Sequence, residues 1–214
     1  ARCHIFSQVN SGPSIARNLG LSKCHGDFIT FLDSDDWVEK TYIEKLVRAM
    51  LHDQSDLAIC GHWITYPHMR FKVCSSSYAI LNQKQAIKYL LQDKIVKNYA
   101  WGKMFRRSLL PTLTFPAHQI YEDVRTIYQA FLKASRFSLV NEPLYHYRMR
   151  CGSITYSLPS NSASELKKAM KEQRSAIAIH YPQLISELDL TLLKANLLIL
   201  YTTARDKLLF SKPV

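Results

Sequence analysis

The chain has 214 residues, 47% of them apolar, and a formal net charge of +11. Its length and apolar content are sufficient for one substantial core, and it contains no run of roughly 20 apolar residues of the kind that spans a bilayer. Its five cysteines are scattered, which argues against both a disulfide framework and a zinc site. With no signal peptide in view, we expect a soluble, cytoplasmic protein with reduced thiols.

The positive charge is unevenly distributed along the chain. Residues 1–80 are neutral in sum, residues 81–160 carry +8 and residues 161–214 carry +3. Such a surface suits a diphosphate, an anionic membrane face or an acidic glycan. Nucleic acid would also suit it, but the chain has no helix-turn-helix, zinc or aromatic ribonucleoprotein motif, so we predict no nucleic-acid partner.

The first predicted element is a helix that begins at Pro13. A Gly-Pro turn places the proline at the first helical position. Arg17 then lies in the first turns, and Gly26 is placed to end the segment before the next element.

An apolar run over residues 28–32 ends in three carboxylates, Asp33, Asp35 and Asp36. A short run of this composition predicts a buried strand, and ligands of open α/β sheets bind beyond the carboxyl ends of strands. Carboxylates this close repel one another unless a cation neutralises them, which indicates a hard divalent metal carrying a phosphorylated ligand. The alternative is an acidic turn in which Asp36 caps the following helix.

Further elements alternate between helix and strand. Residues 56–66 predict a strand, and Asn82 can cap the third of four helices that precede residue 134. Glu122 and Asp123 lie in the first turn of the fourth, residues 120–133, where the helix dipole stabilises negative charge. The predicted inward positions are Ile43, Leu46, Val47, Met50 and Leu51 in the second helix, Ala86, Ile87, Leu90 and Leu91 in the third, and Val124, Ile127, Tyr128 and Phe131 in the fourth.

Two short strands, residues 137–140 and 144–148, are predicted to close the sheet. Residues 157–162 predict a linker, and the rest predicts helix, broken near Pro182, with residues 189–210 as the last long element. We therefore expect an α/β body over residues 1–156 and a C-terminal helical extension over residues 157–214.

Four segments share an order that is found in one enzyme family. They are Asn10-Ser11-Gly12-Pro13-Ser14-Ile15-Ala16-Arg17-Asn18-Leu19-Gly20 with the run ending in Asp33-Ser34-Asp35-Asp36; Trp101-Gly102-Lys103-Met104-Phe105; Glu122-Asp123; and Tyr145-His146-Tyr147-Arg148 with Ser153-Ile154-Thr155. In these segments the chain resembles the family 2 glycosyltransferases of the GT-A fold, over roughly residues 5–155. The resemblance implies a Rossmann-like mixed sheet flanked by helices. It also implies inverting transfer of a sugar from a nucleotide-diphosphate donor, expected to be a UDP-sugar.

The resemblance assigns a donor and metal site. Asp33 is expected to reach the ribose and Asp35, with Asp33, to hold Mn²⁺ or Mg²⁺, since hard cations prefer oxygen ligands. Asp36 is expected to cap the following helix. Arg17 is expected to contact phosphate, although a surface salt bridge is the alternative. The donor-binding residues on this assignment are Asn10, Gly12, Arg17, Asp33 and Arg148, with Arg150 as a further candidate.

The resemblance also assigns the acceptor side. Asp123 is the candidate general base and Glu122 orients the acceptor or the base, unless the pair only compensates the helix dipole. Trp101 and Lys103 are expected to line the acceptor site, with the indole packed against a sugar ring and the ammonium as a donor, unless the tryptophan is buried. His146, between two tyrosines, is interpreted as structural.

The chain departs from the family at its start. Family members open with two strands whose turns hold the nucleotide base, and this chain enters the pattern at the third strand. We therefore expect the GT-A domain over residues 1–156 to be partial, and we expect self-association through an exposed sheet edge. The expected acceptor is a saccharide or lipid-linked saccharide of bacterial cell-surface polysaccharide synthesis, reached by peripheral contact at the inner face of the cell membrane.

Two other functions compete with this one. A haloacid-dehalogenase-like phosphatase also has Asp-x-Asp after an apolar strand, but it does not explain the Asp36-Trp37-Val38 continuation or the segment around Arg17. The other is an incomplete or non-catalytic transferase module for acceptor recognition.

Overall fold

The structure, a computed structural model, describes residues 3–149 and 161–184 of the chain. A mixed seven-stranded sheet forms the centre of this part. The strands are β1 (Phe28–Thr30), β2 (Trp37–Val38), β3 (Leu57–Thr65), β4 (Arg70–Val73), β5 (Ala79–Asn82), β6 (Lys103–Arg106) and β7 (Arg136–Arg148). They run in the order β1-β6-β3-β7-β2, with β4 paired to β3 and β5 paired to β7. The long strands β3 and β7 are parallel, and the other pairings are antiparallel.

Helices cover the sheet on both faces, so the predicted fold class is confirmed. The helices are α1 (Pro13–Ser22), α2 (Tyr42–Asp53), α3 (Gln83–Gln92), α4 (Glu122–Lys133) and α5 (Ser162–His180), with short 3₁₀ helices at Arg107–Thr112 and Pro182–Leu184. Successive residues of β3 point to opposite faces, and its side chains alternate between a core built around α3 and α4 and a core built around α2.

The predicted starts of α1 and α3 are confirmed. Gly12, at φ 85°, precedes Pro13, the first residue of α1. Asn82 caps α3 in a reciprocal capping box with Gln85. The predicted inward positions of α3 and α4 are all buried.

The predicted inward face of α2 is partly wrong. Ile43 and Leu51 are 51% and 60% exposed, whereas Tyr42 is buried because its hydroxyl reaches Thr30 Oγ1 at 2.7 Å. With Tyr42 buried, α2 is rotated about its axis, so the side that packs on the sheet differs from the side that the apolar spacing predicted. The inward residues are Tyr42, Leu46, Ala49, Met50 and Asp53.

The strand predictions differ in detail. Residues 137–140 and 144–148 belong to one strand, β7, whose register against β3 shifts around Gly61. The short strands β2, β4, β5 and β6 were not predicted, because two to four residues are too few to show a period. The segment 153–155, Arg150, residues 157–160 of the linker and the helix at 189–210 lie outside the described residues.

The helix α5 is fastened to α4 by a buried cation. Arg125 is 5% exposed, and its guanidinium donates to Glu165 Oε2 and Glu172 Oε2, each at 3.0 Å. It also donates to the carbonyl of Ile120 at 2.6 Å, just before α4 begins. A buried charge with acceptors from three residues fixes both helices, because losing these partners would leave the guanidinium unpaired.

We predict that Arg125→Met destabilises the protein by about 2 kcal/mol, below the roughly 3–5 kcal/mol of a fully buried pair, because both glutamates keep some exposure. Urea unfolding measures the change. Arg48→Met, which removes an exposed i,i+4 pair with Glu44, is the matched control and should cost at most about 0.5 kcal/mol. Equal costs for the two variants would contradict the role of Arg125.

Candidate functional site

The three acids lie just beyond the carboxyl end of β1, as predicted. Thr30 ends the strand and is held by its hydroxyl, which donates to the carbonyl of Lys103 at 2.7 Å. The chain then turns, and the backbone N–H of Asp36 donates to the carbonyl of Asp33 at 3.1 Å. This acidic loop, residues 33–36, is therefore anchored to the sheet.

Tyr145 organises the acidic loop, a role that sequence reasoning did not assign. Its buried hydroxyl accepts from the backbone N–H of Asp33 at 3.2 Å and donates to Asp36 Oδ2 at 2.7 Å. The other oxygen of Asp36 accepts from the backbone N–H of Arg148 at 2.8 Å. The sequence predicted a strand over residues 144–148, but only the family's Tyr-x-Tyr-Arg pattern connected this strand with the site.

Asp36 does not cap α2, so the predicted cap is wrong, whereas the turn of the acidic residues is present. The residue before α2 is Thr41, and Asp36 instead joins the acidic loop to β7. Burial raises the pKa of Asp36, assisted by the charges of Asp35 and Asp33 and opposed by its two hydrogen bonds. The carboxylates therefore do converge in one negative region.

Arg17 joins the acidic loop to the start of α4. Its guanidinium donates to Asp33 Oδ1 at 2.9 Å and to Glu122 Oε1 at 2.6 Å, and its side chain is 15% exposed. Burial lowers the pKa of Arg17, but the two carboxylates outweigh it and leave that pKa above its ordinary value. Arg17 thus forms ion pairs with two other candidate residues, as in the salt-bridge alternative although not at the surface, and its contact with phosphate stays a prediction.

Asp123 lies in the first turn of α4, directly after Glu122. The helix is preceded by Tyr121 in the left-handed conformation, at φ 59°, and Asp123 Oδ1 accepts from the backbone N–H of Val124 at 2.8 Å. Burial and the charge of Glu122 raise the pKa of Asp123 to about 7, although that hydrogen bond, Arg17 and Lys103 oppose the shift. A carboxylate with a pKa near neutrality is suited to accept a proton.

Trp101 is buried, at 6% exposure. Its indole stacks with Tyr145, at 4.5 Å between ring centroids and 10° between planes, and with Tyr99, at 4.4 Å and 22°. This placement favours the structural interpretation over the predicted contact with a sugar. The stack supports the ring whose hydroxyl holds the acidic loop.

Lys103 is also buried, at 2% exposure, which does not fit a direct contact with an acceptor. Its ammonium donates to the carbonyl of Tyr99 at 2.7 Å. Burial lowers the pKa of Lys103 to about 8, while Cys60 and Asp123 act in the opposite direction.

The remaining donor candidates are spread around the acidic loop. Asn10 Oδ1 accepts from the backbone N–H of Gly12 at 3.3 Å, which shapes the turn into α1. The guanidinium of Arg148 lies 5.0 Å from the ring centroid of Trp37. The contact of Arg148 with the acidic loop is made by its backbone N–H, which donates to Asp36. His146 pairs with Glu39 at 2.9 Å.

Metal ligation by this chain would rest on few side chains. Across residues 3–149 and 161–184, no group of three or more His, Cys, Asp and Glu residues is arranged to hold a metal ion. The converging carboxylates of the acidic loop supply the hard oxygen ligands that Mn²⁺ and Mg²⁺ prefer, and a bound phosphate would supply further oxygens. Metal binding by Asp35 and Asp33 therefore stays a prediction.

In the same ranges, no helix is both long enough and apolar enough to cross a bilayer.

Comparison with known proteins places the chain among glycosyltransferases. The sequence profile described as glycosyl transferase family 2 matches residues 2–114. Glycosyltransferase GlyA of Streptococcus pneumoniae is 30% identical over 83% of this chain and 27% of its own length. The putative glycosyltransferase EpsH of Bacillus subtilis is 35% identical over 72% of this chain and 46% of its own length. The chain thus spans between a quarter and a half of these relatives.

Solved structures support the fold. The crystal structure of S. aureus TarS 1–349 in complex with UDP-GlcNAc matches with a TM-score of 0.70 at 21% identity, over 85% of this chain and 54% of that one. The phosphatase alternative is wrong, because the matched family and fold are those of a transferase.

The raised pKa of Asp123 predicts a pH-dependent stability. Its bound proton stabilises the folded state below the unfolded-state pKa of about 4, and this contribution is lost as the pH rises through about 7. Asp123→Asn cannot ionise, so its melting temperature should rise relative to wild type between about pH 5 and about pH 8. Glu44→Gln, which changes an exposed first-turn carboxylate of α2, is the control. A difference for Asp123→Asn that does not vary with pH would contradict this prediction.

Proposed function

The chain belongs to glycosyl transferase family 2, and from this premise we propose that its acidic loop and the first turn of α4 form the site of an inverting sugar transfer. The donor is a nucleotide-diphosphate sugar, expected to be a UDP-sugar, and the acceptor is a saccharide or lipid-linked saccharide.

The observation that carries this proposal is the double ion pair of Arg17. Through it, Asp33, at the end of β1, and Glu122, at the start of α4, meet on one guanidinium although they are far apart in sequence. Donor and acceptor must be held together for a single displacement, because positioning supplies much of the rate. The ion pairs support a common site for the two groups of acids.

A relative's structure supports the donor class. TarS, which matches this fold, was crystallised in complex with UDP-GlcNAc. On the proposal, Asp33 contacts the ribose, and Arg17 is close enough to the acids to exchange a carboxylate for a phosphate oxygen. Asn10 and Gly12 shape the turn that leads to Arg17.

A divalent metal, Mn²⁺ or Mg²⁺, would be held by Asp35 and Asp33 together with the donor's phosphates. Bound there, it would neutralise charge that develops on the leaving diphosphate.

Asp123 is the proposed general base. The acceptor oxygen forms a bond to the anomeric carbon as the bond from that carbon to the diphosphate oxygen breaks, and the acceptor's proton passes to Asp123. Its pKa of about 7 makes it a better proton acceptor than an ordinary aspartate at neutral pH. Glu122, held by Arg17, keeps the first turn of α4 oriented.

The relatives indicate the class of acceptor. Their names include a cholesterol galactosyltransferase of Borreliella burgdorferi and a poly(ribitol-phosphate) β-N-acetylglucosaminyltransferase of S. aureus. These acceptors differ, but they support a role in building the bacterial cell envelope. A module that only recognises the acceptor is the alternative, and it would bind without turnover.

We predict that Asp35→Asn abolishes Mn²⁺-dependent binding of UDP, because one of the proposed metal ligands loses its charge. Isothermal calorimetry with and without Mn²⁺ measures this. Asp27→Asn, an exposed aspartate just before the opposite end of β1, is the matched control and should bind like wild type. Equal binding by the two variants would move the metal site away from Asp35.

For Asp123→Asn we predict normal folding and donor binding with a loss of transfer of about 10²–10⁴-fold, the usual cost of removing a general base. In wild type, transfer should rise with pH and level off above about 7, as Asp123 loses its proton. A radiolabelled-sugar transfer assay measures both. Turnover of the variant within about tenfold of wild type would place the base elsewhere.

A further inference from the structure

Three rings stand in one row across adjacent strands, on the side of the sheet opposite Tyr145. Trp37 of β2 and Trp63 of β3 are both register partners of His146 of β7. Trp37 and His146 stack at 4.8 Å and 11°, and Trp63 and His146 at 6.4 Å and 22°. Because strand residues alternate, this row faces away from Tyr145, which contacts the acidic loop. We call the row and its flanking cations the aromatic face.

Arginines lie over both indoles of the aromatic face. Arg148 is 5.0 Å from the ring centroid of Trp37, and Arg70 is 4.4 Å from that of Trp63. Lys72, the register partner of Trp63, adds a third cation. The nearby carboxylate of Glu39 is bonded to His146, and no Asp or Glu occurs between Asp56 and Asp93. The three cations Arg70, Lys72 and Arg148 therefore outnumber the nearby carboxylate of Glu39 on the aromatic face.

The same face holds two polar atoms without partners. His146 Nδ1 and Thr65 Oγ1 are the buried side-chain polar atoms that lack a hydrogen bond within residues 3–149 and 161–184. Thr65 is two residues beyond Trp63 on β3 and pairs with Arg148, two residues beyond His146 on β7. A buried polar atom without a partner costs free energy, so two on one surface call for an explanation.

We propose that the aromatic face is a second saccharide-binding surface, for a chain that carries anionic groups. Sugar rings pack on indole faces, hydroxyl groups can bond His146 Nδ1 and Thr65 Oγ1, and carboxylate or phosphate groups pair with Arg70, Lys72 and Arg148.

An exchange of partners lets the ligand reach the rings. The contact of an exposed arginine with an indole is weak, whereas its charge-assisted hydrogen bonds to an anion are stronger. An anionic group therefore draws Arg70 off Trp63 and leaves the indole to a sugar. A bilayer surface offers charge but no ordered hydroxyl groups for the two unpartnered atoms, which favours a saccharide.

The surface extends the proposed function without depending on its chemistry. Trp37 directly follows Asp36, so a saccharide chain on the aromatic face adjoins the acidic loop and would be kept near it between transfers. Binding there does not involve Asp123. Asp123→Asn should therefore lose transfer and keep saccharide binding, so the two proposals can fail separately.

The test is binding of hexagalacturonate, an acidic oligosaccharide, with neutral maltohexaose for comparison. Two of the three tryptophans lie on the aromatic face, so intrinsic fluorescence and calorimetry report binding. Wild type should bind hexagalacturonate at least about tenfold more tightly than maltohexaose, and Arg70→Gln with Lys72→Gln should lose about tenfold in affinity. The matched control, Lys84→Gln with Lys88→Gln on α3, removes the same charge and should change affinity by less than about twofold.

Thr65→Val tests the unpartnered hydroxyl. It keeps the shape of the side chain, so the melting temperature should stay the same or rise while hexagalacturonate affinity falls by about threefold or more. Absence of hexagalacturonate binding, equal binding of maltohexaose, or an equal loss in the Lys84 and Lys88 control would overturn the proposal. Binding of phosphatidylglycerol vesicles that depends on Arg70 and Lys72, without binding of hexagalacturonate, would assign the face to a membrane and overturn it too.

Discussion

The guanidinium of Arg17 is the contact on which the candidate site depends. It is largely removed from solvent and lies between Asp33 and Glu122, each of which sits beside another acid of the site. Without a cation there, carboxylates from β1 and α4 would repel one another across a region of low dielectric. A planar guanidinium can pair with both at once, which a lysine ammonium does less well. Arg17 thus allows two acidic segments to share one site.

A stack of aromatic rings gives the acidic loop a fixed support. Tyr145 holds the loop by its hydroxyl, and its ring is held in turn by Trp101, which stacks with Tyr99. Packed rings have few alternative rotamers, so the loop is positioned before any ligand binds. Such preorganisation is what a charge-stabilising site requires. Trp101 therefore contributes to the site through Tyr145 and needs no contact with substrate.

Burial of charge connects stability to the proposed chemistry. Asp123 and Lys103 lie in surroundings that disfavour their charged forms, so the pKa of Asp123 is raised and the pKa of Lys103 is lowered. Both shifts bring titration toward neutrality, which is useful for proton transfer and costly for folding. The ion pairs of the buried Arg125 with the partly exposed Glu165 and Glu172 fasten α5 beside this region.

The sequence by itself determined what depends on neighbours along the chain. Gly12-Pro13 started α1, Asn82 capped α3, the apolar spacing of α4 gave its buried face, and the apolar run before Asp33 gave the strand and the acids beyond it. The motif order gave the family. Each is specified by a few consecutive residues, through backbone conformation, capping or periodicity.

Only the tertiary structure decided what depends on residues far apart in sequence. The packing of separate elements determines four features of the site and its surroundings. They are the partners of Arg17, the hydrogen bond from Tyr145 to Asp36, the burial of Trp101 and Lys103, and the rotation of α2 toward Thr30. The row of Trp37, His146 and Trp63 exists only through strand register. None of these leaves a local pattern, because each is fixed by hydrogen bonds and packing between segments that the sequence does not bring together.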